Sequence, residues 1–205
     1  MKLHKTSNLN LFFSENLLPF DGVAEYFPNF ISLASSSFYF QKLESNINWQ
    51  HDVVKLFGKE ITTNRKTAWY GSKSFEYTYS NKTKIAFPWN KELIDLKTII
   101  EKKCQEEFNS CLLNLYHNGN EGMAWHSDDE KTILPNSTIA SLSIGAERRF
   151  LFKHKHTQQK IELNLQNGSL LLMKENTQNY WWHSLPKSAK IKSPRINLTF
   201  RKMID

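Results

Sequence analysis

In the second half of the chain apolar and polar residues alternate, and a period of two predicts strands. Strands are expected at residues 111–116, 138–144, 148–154, 160–165, 169–173 and 195–202. Gly145-Ala146 and Asn167-Gly168 supply turns between them. In the last strand Ile196, Leu198 and Phe200 share one face, and Arg195, Asn197, Thr199 and Arg201 share the other. Upstream the period changes to that of a helix. Phe40, Leu43 and Ile47 recur at helical spacing behind Ser36 and Ser37, which predicts a capped helix over 36–47. Pro88-Trp89-Asn90 opens a second helix to about residue 109, with Leu93, Leu96, Ile100, Cys104 and Phe108 as its apolar stripe.

Between the helices, residues 51–63 read as a hairpin with its tip near Phe57-Gly58-Lys59. An apolar Phe at such a tip is unusual. Residues 75–80 alternate as a strand, with Phe75, Tyr77 and Tyr79 on one side. Residues 1–34 read as an irregular lead-in without a clear period, with Leu11-Phe12-Phe13 as a short edge strand. His183 is expected to follow a loop. Some eight short strands with a helix outside predict a mainly β fold with flanking helices, a jelly roll or double-stranded β-helix. Residues 1–50 form a lead-in and helix. Residues 51–205 form the jelly-roll domain, with a hairpin region over about 51–87, the whole making one compact unit.

Composition narrows the partners. The net charge of +7 favours a polyanion such as nucleic acid. Two cysteines, Cys104 and Cys111, make a disulfide framework unexpected. The N-terminus carries no apolar run of a secretory leader, and no stretch approaches a membrane span. The expectation is an intracellular monomer, cytoplasmic in a bacterium or nuclear in a eukaryote, with no membrane partner.

The candidate chemistry lies in residues 114–130. His126 and Asp128, two apart on an extended segment, point to one side. Two His and one carboxylate form the facial triad that leaves open positions on Fe(II). The second His would lie far downstream, and His183 in Trp181-Trp182-His183-Ser184-Leu185-Pro186 is the candidate. A lone His-x-Asp is a weak motif, since chance produces it, and Asp128 reads equally as a turn residue beside Asp129. The polar face of residues 195–201 adds weight. It reads either as a solvated strand face or as two guanidinium forks for a dicarboxylate such as 2-oxoglutarate. Asn114 and Tyr116, also two apart, could line the same cavity.

Asn114-x-Tyr116, His126-x-Asp128, His183 and Arg195-x-Asn197-x-Thr199-Phe200-Arg201 together resemble the AlkB family of Fe(II)/2-oxoglutarate-dependent dioxygenases. The resemblance covers about residues 50–203. It looks nearest to the branch acting on double-stranded DNA, through Arg65-Lys66, Tyr77-Thr78-Tyr79-Ser80, His126-Ser127-Asp128-Asp129-Glu130, Ser143-Ile144-Gly145-Ala146, Gly168-Ser169-Leu170-Leu171 and His183-Ser184-Leu185-Pro186.

That resemblance implies His126, Asp128 and His183 as iron ligands. It implies Arg195 and Arg201 on the two ends of 2-oxoglutarate, assisted by Asn114, Tyr116, Asn197 and Thr199. With dioxygen (O2), 2-oxoglutarate would be decarboxylated to succinate and an N-methyl group hydroxylated and lost as formaldehyde. The methylated base, 1-methyladenine or 3-methylcytosine, must first leave the stack. Tyr79 and His126 would sandwich it, with Tyr77 near, and Asp129 and Glu130 would meet its polar edge; the acidic pair reads otherwise as a solvated loop. Phe57 would be the wedge filling the gap in the duplex, or else a core residue. Lys55, Gly58, Lys59, Arg65, Lys66, Arg148, Lys187, Lys190 and Lys192 would meet phosphates. His154-Lys155-His156 reads as an exposed strand end or a phosphate contact. Single-stranded DNA or RNA as substrate, and a jelly roll that binds nucleic acid without catalysis, are the alternatives.

Overall fold

The computed structural model describes residues 15–56, 59–79 and 82–204, with backbone alone at 52, 54–56, 59, 76–79 and 82–84. In chain order the elements are β1 (Val23–Phe27), α1 (Leu33–Asn46), β2 (Gln50–Leu56), β3 (Lys59–Gly71), β4 (Glu76–Tyr79), β5 (Lys82–Ile85), β6 (Phe87–Pro88) and α2 (Lys91–Cys104). They continue with β7 (Ser110–Tyr116), β8 (Met123–His126), β9 (Ile139–Gly145), β10 (Arg148–His154), β11 (Lys160–Leu165), β12 (Ser169–Lys174), α3 (Thr177–Tyr180), β13 (Trp181–Leu185) and β14 (Arg195–Arg201).

Two antiparallel sheets face one another. The larger runs β1-β12-β9-β14-β7-β3-β2, with β6 beside β3, and the smaller runs β11-β10-β13-β8. β4 and β5 form a separate hairpin. This is the jelly-roll arrangement, mainly β with helices on the outside. Alternation along each strand sorts its side chains into two layers. Leu113 and Leu115 of β7, Leu142 and Ile144 of β9, and Ile196, Leu198 and Phe200 of β14 face outward. There they pack with Leu43 of α1 and with Leu93, Leu96 and Ile100 of α2. Tyr116, Ile139, Leu171 and Met173 face inward and meet Phe150, Phe152 and Trp181 of the smaller sheet.

The helices begin where side chains satisfy their free amides. Ser32 accepts from Ser35 N and caps α1, one turn ahead of the expected start at Ser36 or Ser37. Asn90 accepts from Leu93 N and caps α2. α2 stops at Cys104 rather than near 109, because Gln105 takes a left-handed conformation (φ 56°) and its N–H returns to Glu101 O. Phe108 still enters the core, but from the connection to β7.

Three further expectations are corrected. The lead-in contains β1, which pairs along β12 and forms one edge of the larger sheet. Residues 23–46 pack in the same layers as the strands that follow. His183 sits inside β13, directly after the short helix α3, and not after a loop. The strand after the hairpin tip runs on to Gly71, so β3 reaches β7 and ties the hairpin to the central sheet. Leu11-Phe12-Phe13 and the Phe57-Gly58 tip lie outside the described residues. Among those described, no helix is long and apolar enough to cross a membrane.

Candidate metal and co-substrate site

β8 and β13 are hydrogen-bonded neighbours, and their register sets His126 opposite His183. Asp128 follows β8 by two residues and turns its carboxylate toward both rings. His126 Nε2 lies 3.7 Å and His183 Nε2 3.9 Å from Asp128 Oδ1. The three donor atoms fall within 4.8 Å of one another, the one such cluster of potential metal ligands among the described residues. The two imidazoles meet edge to face at 4.2 Å between centroids.

The protonation states suit a cation. His126 Nδ1 lies 2.9 Å from Ala124 O. A carbonyl only accepts, so Nδ1 carries a proton and Nε2 is the ring nitrogen turned toward Asp128. His183 is buried against Phe150 and Phe152. That burial, reinforced by His126, lowers its pKa to about 3 and keeps the ring neutral. Burial alone would raise Asp128, but the Arg201 guanidinium, by its charge and its hydrogen bond, outweighs it and holds the carboxyl at about 2. A buried carboxylate with two imidazoles, the His183 ring held neutral, is the donor set of a 2-His-1-carboxylate iron centre. These residues fit Fe(II).

The loop carrying Asp128 is fixed from behind. Asp128 N donates to Gln178 Oε1 of α3 at 2.9 Å. Gln178 O accepts from Lys155 Nζ at 2.8 Å, and the same ammonium lies 3.9 Å from Asp129. Arg201 donates to Asp128 Oδ2 at 2.8 Å. The sequence did not single out Ala124, Gln178 or the Arg201–Asp128 pair.

Beside this cluster the inward face of β7, β14 and β9 is polar. Register places Arg195 opposite Tyr116 and Asn197 opposite Asn114. Arg195 Nη2 donates to Ser143 Oγ at 2.8 Å and to Asn197 Oδ1 at 2.9 Å. Asn197 Nδ2 donates to Ser141 Oγ at 3.0 Å and to Thr199 Oγ1 at 3.4 Å. The Arg195 guanidinium lies over the Tyr116 ring at 5.5 Å. Burial pulls its pKa down to about 10. Arg195 Nε and Nη1, Arg201 Nε and Asn114 Oδ1 are all buried without a hydrogen-bond partner. No carboxylate of the described residues pairs with Arg195. A buried guanidinium with free donors, no carboxylate partner among the described residues and a second cation, Arg148, nearby fits an anionic ligand. The dicarboxylate 2-oxoglutarate meets that condition. Ser141 and Ser143 complete the network, and their position on the inward face of β9 was readable from its alternation.

Two of the expected phosphate contacts are corrected. Arg148 is 1% exposed. Its Nη2 donates to Glu121 O at 2.7 Å and Pro186 O at 3.0 Å, and its guanidinium lies over Tyr116 at 5.6 Å. It braces two loops from inside. Arg65 is 7% exposed, with Nη1 directed at Met123 Sδ at 3.4 Å. His154 is also buried rather than an exposed strand end. Its Nδ1 accepts from Thr157 N, and its Nε2 lies 3.3 Å from Asp21. Alternation along β10 contained the clue, since Arg148 and His154 share a face with Phe150 and Phe152. Lys187, Lys190 and Lys192 are exposed, and Lys66 is half-buried. Asp129 and Glu130 are exposed beside the cluster. Tyr77 and Tyr79 lie on β4, and Lys55 and Lys59 on β2 and β3, at positions described for backbone only; Phe57 and Gly58 lie outside the described residues.

Comparison with known proteins agrees with this geometry. The profile described as the 2OG-Fe(II) oxygenase superfamily matches residues 23–201. DNA oxidative demethylase ALKBH2 of Homo sapiens is 38% identical, in an alignment covering 80% of this chain and 67% of that protein. Alpha-ketoglutarate-dependent dioxygenase alkB homolog 3 of Bos taurus is 36% identical, covering 85% of this chain and 64% of that protein. ALKBH2 of Arabidopsis thaliana is 32% identical, covering 87% of this chain and 66% of that protein. The chain thus spans about two thirds of the length of these relatives. The solved structure of OsALKBH1 superposes with a TM-score of 0.58 at 15% identity, over 87% of this chain and 97% of that one, and so shares the fold. With a profile match over most of its length and relatives of this identity, the chain belongs to the AlkB family within the 2OG-Fe(II) oxygenase superfamily.

Proposed function

We propose that this protein is an Fe(II)- and 2-oxoglutarate-dependent dioxygenase that removes N-alkyl groups from damaged bases in DNA. The observation that carries the reading is the meeting of two imidazoles and an ionised carboxylate beside a buried guanidinium with free donors. The naming of its relatives as DNA oxidative demethylases supports DNA as substrate. Net charge +7 and the exposed Lys187, Lys190 and Lys192 suit a phosphate backbone.

In this reading His126, Asp128 and His183 hold the iron, and Arg195 takes one carboxylate of 2-oxoglutarate. Arg201 holds Asp128 ionised and turns its free Nε to the other carboxylate. When bound, the metal and co-substrate supply oxidation of the alkyl carbon by O2, with succinate, carbon dioxide and an aldehyde as products. The rings of Phe150, Phe152 and Trp181 keep bulk water from the inner side of His183. Asp129 and Glu130, at the exposed rim, offer negative charge to a base that methylation has made cationic. The family resemblance gives the flanking of that base to Tyr79 and His126 and the wedge in the vacated stack to Phe57, a role that favours duplex DNA.

The test is formaldehyde release from oligonucleotides bearing 1-methyladenine or 3-methylcytosine, single- and double-stranded. Release that requires both Fe(II) and 2-oxoglutarate is expected, and greater with the duplex. No release from either form of DNA would overturn the reading, and release from RNA alone would replace it with an RNA demethylase.

A further inference from the structure

The outer face of the smaller sheet, turned away from the metal cluster, carries an arrangement the reaction does not use. Lys153 of β10 stands opposite Trp182 of β13 in the pairing register. Alternation sends both outward, since Phe152 and His183 beside them face the interior. Trp125 on the edge strand β8 precedes His126 and points the other way. The Lys153 ammonium lies 4.8 Å from the centroids of both the Trp125 and the Trp182 rings. Trp125 is 37% exposed, and no other tryptophan of the described residues is among the exposed large apolar side chains. Lys160, the cross-strand partner of Lys153 on β11, is exposed as well. The acidic groups nearby are engaged elsewhere: Glu162 with Arg149 at 2.6 Å and Asp129 near Lys155 at 3.9 Å.

We propose that Trp125, Lys153 and Trp182 form a stacking platform for an unpaired nucleotide of the substrate, outside the catalytic cavity. An indole offers a sequence-tolerant surface to a base, and a cation beside it meets the phosphate of the same nucleotide. A polyanion with planar bases uses both features of the patch, its phosphate the ammonium and its base the exposed indole. The position suits this role. Trp125 adjoins a metal ligand in sequence, so the platform lies one sheet thickness from the reacting base. A nucleotide flanking the lesion, or the base left unpaired by its extrusion, is the occupant. The inference rests on the nucleic-acid reading above and extends it to a second contact.

The experiment is fluorescence anisotropy with a labelled single-stranded 15-mer, free of alkylation, on the Fe(II)-free protein. The variants are Trp125→Ala, Trp125→Phe, Trp182→Phe and Lys153→Gln, each checked for an unchanged melting temperature. Trp125→Ala should weaken binding about 5- to 100-fold, the range of one stacked base, and Trp125→Phe should restore most of it. In a parallel series one abasic site is moved along the oligonucleotide. Wild type should lose the same factor at one position, and Trp125→Ala should lose nothing further there. Equal binding by wild type and Trp125→Ala, with a flat abasic series, would overturn the platform. Loss with Lys153→Gln alone would also overturn it, leaving a phosphate contact without stacking. Absence of oligonucleotide binding by wild type would overturn the nucleic-acid reading itself, and so separates the two failures.

Discussion

Arg201 reaches from the last residue of β14 to bond Asp128 Oδ2 at 2.8 Å, so one guanidinium serves the carboxylate that faces both histidines. Both partners are buried. Removing one member of such a pair leaves the other charge without compensation, at a cost of about 3–5 kcal/mol. Arg201→Ala should therefore lower the melting temperature by several degrees and raise the 2-oxoglutarate requirement at least tenfold. Thermal unfolding and initial rates against 2-oxoglutarate concentration check this. Unchanged values on both would remove Arg201 from the site.

Gln178 gives a test of how the metal loop is held. Its side-chain oxygen accepts the Asp128 N–H, and that bond orients the carboxylate without touching a reactant. Gln178→Ala should weaken binding of a divalent metal by roughly 10- to 100-fold, as the loss of an outer contact to a ligand does. Gln178→Glu, which keeps the acceptor, should recover most of it. Titration with Co(II), followed by its visible absorption, reads this without turnover.

The acid limb of stability should carry the mark of His183. Its folded pKa, about 3, lies below the ordinary 6.5, because burial disfavours the charged ring. The unfolded chain therefore takes up a proton that the folded one refuses. Stability is full above pH 6.5 and falls as pH drops from 6.5 toward 3. Asp128, lowered from 3.8 to about 2 by its neighbours, adds a second loss over that lower window. Metal-free wild type should lose melting temperature steadily below pH 6. His183→Gln, less stable at neutral pH, should show a shallower slope between 6 and 4. Parallel slopes would contradict the buried neutral ring.

Buried and exposed cations should separate in their response to salt. Replacing Lys187, Lys190 and Lys192 together by Gln should reduce the slope of log affinity for DNA against log salt by roughly 2 to 3. Arg148→Met should leave that slope alone and lower thermal stability instead, since Arg148 spends its donors on Glu121 O and Pro186 O. A change of slope in Arg148→Met would return it to the DNA surface.

What the sequence disclosed follows from which forces are local. β14 was readable because every second residue obeys one layer, Ile196, Leu198 and Phe200 against Arg195, Asn197 and Thr199. α2 was readable because its cap and stripe lie within one stretch, although its end was set by a single left-handed residue at Gln105. β1 was not readable. Val23-Ala24-Glu25-Tyr26-Phe27 has no clean alternation, and its strand character depends on β12, far along the chain. The three residues of the metal cluster could be named from spacing and resemblance, yet their fastening could not. Ala124 contributes a carbonyl, and Gln178 comes from a four-residue helix, so neither carries a sequence mark. Arg148 carries its inward mark in Phe150 and Phe152, which share its strand face, whereas Arg65 lies between Thr63 and Thr67 on its face and carries none.

β14 lies in the middle of the larger sheet, bonded along its length to both β7 and β9. Its two sides do unrelated work, one gripping helices and the other lining the cavity. A shift by one residue would exchange them, sending three large apolar groups among the ligands and two arginines under the helices. Insertions or deletions inside 195–201 thus have no mild form: they remove folding and chemistry in one event. The loop ahead of the strand, residues 186–194, is where length variation has to be absorbed, and single-residue deletion scanning should find a sharp edge of tolerance at Arg195.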